Sequence, residues 1–123
     1  MIVGSNSVPR VAIVDPMMAL TLPPTQTAYS RMDALSHLIV GLVSNQVFPM
    51  TDALALEGVG LVSSSLRTAY HNGQDLHARW SMPPAAMIAG FLESVPGFGG
   101  SWLGHCVAEL IGPKYHIPRS LKP

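Results

Sequence analysis

Asp33 and His37 stand four residues apart in the run Arg31-Met32-Asp33-Ala34-Leu35-Ser36-His37. On an α-helix that spacing places both side chains on one face, a turn apart. A carboxylate oxygen and an imidazole nitrogen so placed can share a divalent cation. The surrounding stretch is largely apolar, so a charge and a histidine there call for a reason. The pair by itself also fits a surface hydrogen bond, and a metal centre needs further ligands from elsewhere in the chain.

The elements that must position the pair can be read from punctuation and periodicity. Val11-Ala12-Ile13-Val14 is a short apolar run of mostly β-branched residues stopped by Asp15-Pro16, the pattern of a buried strand ending at a turn. Pro23-Pro24 opens a helix expected over 25–44, with Met32, Leu35, Ile39 and Val43 as its apolar positions. Thr51 is read as the N-cap of a second helix reaching about Tyr70, with Leu54, Gly58, Leu61, Val62, Leu66 and Ala69 as its stripe. His71-Asn72-Gly73 closes it. A third helix is expected from Asp75 to about Leu92 despite Pro83-Pro84 in its interior, where a proline costs about 3 kcal/mol. A loop at 95–100, a short helix over 101–111 closed by Gly112-Pro113, and an irregular tail complete the chain. One strand cannot make a sheet, which points to a piece of something larger.

Composition narrows the classes. The chain has 123 residues, enough for one ordinary domain. Charged residues make up 11% against 48% hydrophobic, where about a quarter charged is usual. Sparse charge implies apolar surface to be covered by a homo- or hetero-oligomeric partner or by further chain. Seven acidic residues balance seven basic ones, so neither nucleic acid nor an anionic membrane is favoured as a partner. Cys106 is the single cysteine. It forms no intrachain disulfide, is read as a small packed side chain, and fits a reducing, cytoplasmic setting. The N-terminus shows no signal-peptide pattern. The longest strongly apolar run, Leu38-Ile39-Val40-Gly41-Leu42-Val43, is far short of the roughly 20 residues that span a bilayer.

Five blocks, in order, resemble the iron-containing (group III) alcohol dehydrogenase family. They are Pro9 to Pro16 with Leu20-Thr21-Leu22-Pro23-Pro24; Met32 to His37; Pro49 to Glu57; Asn72 to Arg79; and His105 through Ile111-Gly112-Pro113-Lys114-Tyr115-His116-Ile117-Pro118. The resemblance implies a mainly α fold, a helical bundle-like piece of the dehydroquinate synthase-like/iron alcohol dehydrogenase fold with one short N-terminal strand. It divides the chain into 1–22, the end of an α/β nucleotide-binding domain, and 23–123, part of a helical metal-binding domain. It further implies NAD(P)-dependent, metal-assisted interconversion of alcohols with aldehydes or ketones. The family's glycine-rich cofactor loop has no counterpart here, since Gly97-Phe98-Gly99-Gly100 does not follow a strand of a βαβ unit.

By the same resemblance the metal ligands are Asp33, His37 and His105, with Fe2+ first and Zn2+ second as the ion. A further family histidine ligand falls at Arg119, which stays protonated and has no lone pair to give. Glu109 replaces an active-site histidine one turn beyond His105 and offers a fourth oxygen, and Arg31 replaces a glycine. His71 and His77 are read as solvated, and His116 stands near the lost ligand. Three readings follow: a truncated member of the dehydrogenase family, inactive alone; a stand-alone helical metal-binding module; or a non-catalytic partner of a full-length homologue. The first is preferred.

Overall fold

Three helices carry the architecture of the computed structural model, which describes residues 11–44, 48–95, 110–111 and 113–115. They are α1, Pro24–Leu42; α2, Pro49–His71; and α3, Leu76–Glu93. A 3-10 turn, Pro16–Ala19, precedes them and packs on α3. Each helix packs on the other two, so the described residues form the mainly helical arrangement that the family resemblance implies.

Local chemistry explains where the helices begin. α1 and α2 each start on a proline, whose absent N–H and fixed φ suit the first turn. Thr51 lies one turn inside α2 instead of capping it. Its hydroxyl accepts from the Phe48 N–H at 3.0 Å and donates to the Phe48 carbonyl at 2.7 Å. Asp75 caps α3 by accepting from the Ala78 N–H at 2.9 Å. Asp15 accepts from the Met17 N–H in the same manner, at 2.9 Å, and starts the 3-10 turn.

The core is small and rich in alanine. Ala34 and Leu38 of α1 meet Ala55 of α2 and Ala89 and Leu92 of α3, while Ala69, Ala78 and Met82 form a second cluster. Small residues let the helix axes approach. At Gly58 an added Cβ would stand 2.8 Å from both methyls of Leu38, so the missing side chain is what lets α2 seat this leucine. α3 stays helical through Pro83 and Pro84. Neither residue can donate to the carbonyl four positions earlier, so Arg79 and Trp80 lose their ladder donors.

Several expectations need correction. Val11-Ala12-Ile13-Val14 forms no strand, and all four residues are exposed. Among the described residues there is no neighbouring strand to satisfy its backbone, and periodicity alone cannot supply one. The face of α1 is also rotated from the expected stripe. The buried residues are Thr27, Arg31, Ala34, His37, Leu38 and Gly41, whereas Met32, Ile39 and Val43 are exposed. Of the expected α2 stripe, Gly58, Val62 and Ala69 are buried. The expected helix over 101–111 lies outside the described residues except at 110–111, which is helical; 113–115 is helical too.

Candidate metal centre

α1 brings Asp33 and His37 together as the spacing requires. His37 Nε2 and Asp33 Oδ2 are 3.6 Å apart, the imidazole side chain 9% exposed and the carboxylate 53%. That distance is long for a hydrogen bond. It matches two ligand atoms that each sit about 2.1 Å from one ion. Nitrogen and oxygen donors at this separation, one buried and one open to solvent, fit a divalent cation of the iron or zinc type.

A residue from the far end of α3 reaches the other side of the ring. Glu93 Oε1 is 2.7 Å from His37 Nδ1, and the Glu93 side chain is 37% exposed. At 2.7 Å there is no room for an ion between the two atoms, so Glu93 serves the ring itself. Nothing in the sequence singled out Glu93. It lies 56 residues from His37, and only the packing of α3 on α1 joins them.

Among the described residues no group of three or more His, Cys, Asp and Glu side chains is arranged to hold an ion. His105, Glu109, His116 and Arg119 lie outside the described residues, as does Cys106. His71 and His77 are exposed, as expected. His71 sits edge-on to Tyr70, ring centroids 5.1 Å apart.

Two buried arginines hold the platform behind the pair. Arg79, 1% exposed, donates from Nε to the Gly73 carbonyl at 2.8 Å, from Nη1 to Thr27 Oγ1 at 2.8 Å and from Nη2 to the Leu22 carbonyl at 3.0 Å. It ties the segment before α1, the first turn of α1 and the α2–α3 turn into one unit. Gln74 adds a bond from Nε2 to the Leu20 carbonyl, 3.2 Å. Arg31, 7% exposed, donates from Nη1 to the Met82 carbonyl at 3.0 Å, beside the proline pair of α3. Its Nε is buried with no hydrogen-bond partner. Burial lowers the Arg31 pKa from its ordinary value, and the neighbouring Arg79 charge pushes the same way. Both arginines sit on apolar helix faces, where the pattern alone gave no sign that they turn inward.

The described residues thus bring a carboxylate and an imidazole together on one face of a packed helix. Comparison with known proteins makes the class particular. Residues 27–121 match the pattern of the Fe-containing alcohol dehydrogenase family, C-terminal. The chain is 39% identical over 122 residues to alcohol dehydrogenase 4 of Saccharomyces cerevisiae, covering 98% of this chain and 31% of that one. It is 34% identical over 122 residues to 1,3-propanediol dehydrogenase of Klebsiella pneumoniae, covering 98% and 30%. It is 33% identical over 120 residues to the NAD-dependent methanol dehydrogenase of Bacillus methanolicus, covering 98% and 31%. The chain therefore belongs to the iron-containing alcohol dehydrogenase family, and it spans about a third of the length of these relatives.

Proposed function

We propose that this chain is the metal-holding portion of an alcohol dehydrogenase, with Asp33 and His37 as the first two ligands of a divalent cation and His105 as a third. The observation that carries this reading is the Nε2–Oδ2 separation of 3.6 Å on one face of α1, joined to membership of the family. When bound, such an ion acts as a Lewis acid toward an alcohol or carbonyl oxygen. The chain's own residues orient and hold: α1 fixes the two donors, and Arg79 fixes the entry into α1. Hydride would pass to or from NAD(P). The sequence carries no glycine-rich phosphate loop, so in this reading the nucleotide is held by residues beyond these 123 and the chain by itself does not turn over. The setting is cytoplasmic.

A second reading, assembly with another copy or with a full-length relative, is favoured by the exposed apolar side chains. Met32, Ile39 and Val43 on α1, Phe48, Met50 and Leu56 at or on α2, and Trp80, Met87 and Phe91 on α3 are all exposed. Exposed apolar side chains in this number suit coverage by protein. Among the described residues no helix is long and apolar enough to cross a membrane.

Metal analysis of the purified full chain tests the first reading. The expected result is about one iron or zinc per chain, lost in Asp33→Ala and in His105→Ala. Equal metal content in the wild-type chain and both variants would overturn it.

A further inference from the structure

We propose that Glu93 is the positioning residue of this metal centre: it accepts a hydrogen bond from the Nδ1–H of His37 and so leaves the Nε2 lone pair facing Asp33. The inference rests on the reading of Asp33 and His37 as ligands.

An imidazole has two nitrogens, and a neutral ring carries a proton on only one. Which one is bare decides whether His37 can ligate on the Asp33 side. Here the two flanks of the ring differ. Nδ1 lies 2.7 Å from Glu93 Oε1, within reach of a short charge-assisted bond, whereas Nε2 lies 3.6 Å from Asp33 Oδ2. The nearer carboxylate claims the proton and the wider gap is left for the ion.

The placement of Glu93 argues for a role. It is the last residue of α3, at the negative end of the helix dipole, where an acidic side chain is disfavoured. It is also the one α3 carboxylate brought to His37. Carboxylates on the outer nitrogen of a ligating histidine fix its tautomer and raise its basicity. Glu93 therefore acts through His37 and does not touch the ion.

The test uses the full chain with Zn2+ as probe, and three variants: Glu93→Ala, Glu93→Gln and Asp33→Ala. Nitrogen-15 NMR of the metal-free chain reads the His37 tautomer, which is expected to be Nδ1–H in the wild type and in Glu93→Gln, whose amide oxygen still accepts. In Glu93→Ala the ring should become a mixture of tautomers. Zn2+ affinity should fall about 10–100-fold in Glu93→Ala and be largely restored in Glu93→Gln. Far-ultraviolet circular dichroism should be unchanged throughout, Glu93 being at a helix end. An unchanged tautomer, or an affinity within twofold of wild type in Glu93→Ala, overturns the proposal. Equal losses in Glu93→Ala and Glu93→Gln, with an altered d–d spectrum of the Co2+-loaded chain, also overturn it, because Glu93 would then be a ligand. A wild-type chain that binds no Zn2+ defeats the metal reading itself; an intact tautomer preference there would leave Glu93 as the ring's partner only, and the positioning role toward an ion would fall with that reading.

Discussion

Replacing the two buried arginines by leucine should move stability in opposite directions. Arg79 makes three hydrogen bonds to uncharged acceptors. A bond to a charged group contributes about 1.5–3 kcal/mol net. The bond to Thr27 is buried and counts in full, while those to Gly73 and Leu22 are partly buried and open to replacement by water. Discounting them by half gives about 3–6 kcal/mol, from which the recovered desolvation of the guanidinium must be subtracted, leaving about 2–4 kcal/mol of destabilisation in Arg79→Leu. Among the described residues Arg31 has one acceptor, the Met82 carbonyl, and a buried Nε without a partner, and it feels the repulsion of Arg79. Arg31→Leu should therefore be neutral or stabilising, by up to about 2 kcal/mol. Urea denaturation followed by circular dichroism at 222 nm reads both. With a slope of about 1–1.5 kcal/mol per molar, Arg79→Leu should lower the midpoint by about 1.3–4 M while Arg31→Leu leaves it level or raises it. The double variant adds a sign: Arg79→Leu should cost more once Arg31 is gone, since the repulsion that offset its bonds has been removed. A midpoint for Arg79→Leu at or above that of Arg31→Leu would refute the reasoning.

Three further changes follow from the packing. Gly58→Ala puts a methyl 2.8 Å from the fully buried Leu38 and should cost about 1–3 kcal/mol by thermal or urea denaturation; Gly60→Ala, in open space two residues on, should stabilise α2 by about 0.5–1 kcal/mol and serves as its control. Asp75→Ala removes the cap on the Ala78 N–H and should lose about 1 kcal/mol, with faster amide exchange confined to the first turn of α3. Pro84→Ala returns a donor to the Trp80 carbonyl within α3, and the denaturation midpoint should rise by the equivalent of about 1–3 kcal/mol; a lower midpoint would show that the proline ring itself packs productively.

The sequence disclosed elements more readily than faces. Pro23-Pro24 and Asp75 marked the starts of α1 and α3 because capping is local chemistry, decided by residues within a turn of one another, whereas α2 begins at Pro49, ahead of the expected cap Thr51. The expected α1 stripe failed because burial is set by neighbours distant in the chain. Arg31 and His37 go inside since Met82 and Glu93 of α3 receive them, whereas Met32, Ile39 and Val43 look hydrophobic but stay exposed. The 11–14 run failed for a related reason: a strand is a property of two segments, and β-branched composition describes one. The candidate site divides the same way. Asp33 and His37 were legible because an i, i+4 spacing fixes their separation, but Glu93, Arg31 and Arg79 act across helix interfaces that no spacing encodes.

The three anchors of Arg79 differ in how they tolerate substitution over time. At position 22 the acceptor is a main-chain carbonyl, which every amino acid carries, so the side chain there can drift freely. Position 73 also offers a main-chain carbonyl, yet a Cβ would come within 2.7 Å of Arg79 Nη2, so volume and not chemistry restricts it to glycine. Position 27 contributes a hydroxyl, and serine alone among small residues could replace it. A single tie thus imposes three unlike kinds of constraint, and a set of variants recovered by selection for folding should show free exchange at 22, near-invariance at 73 and a threonine–serine alternation at 27.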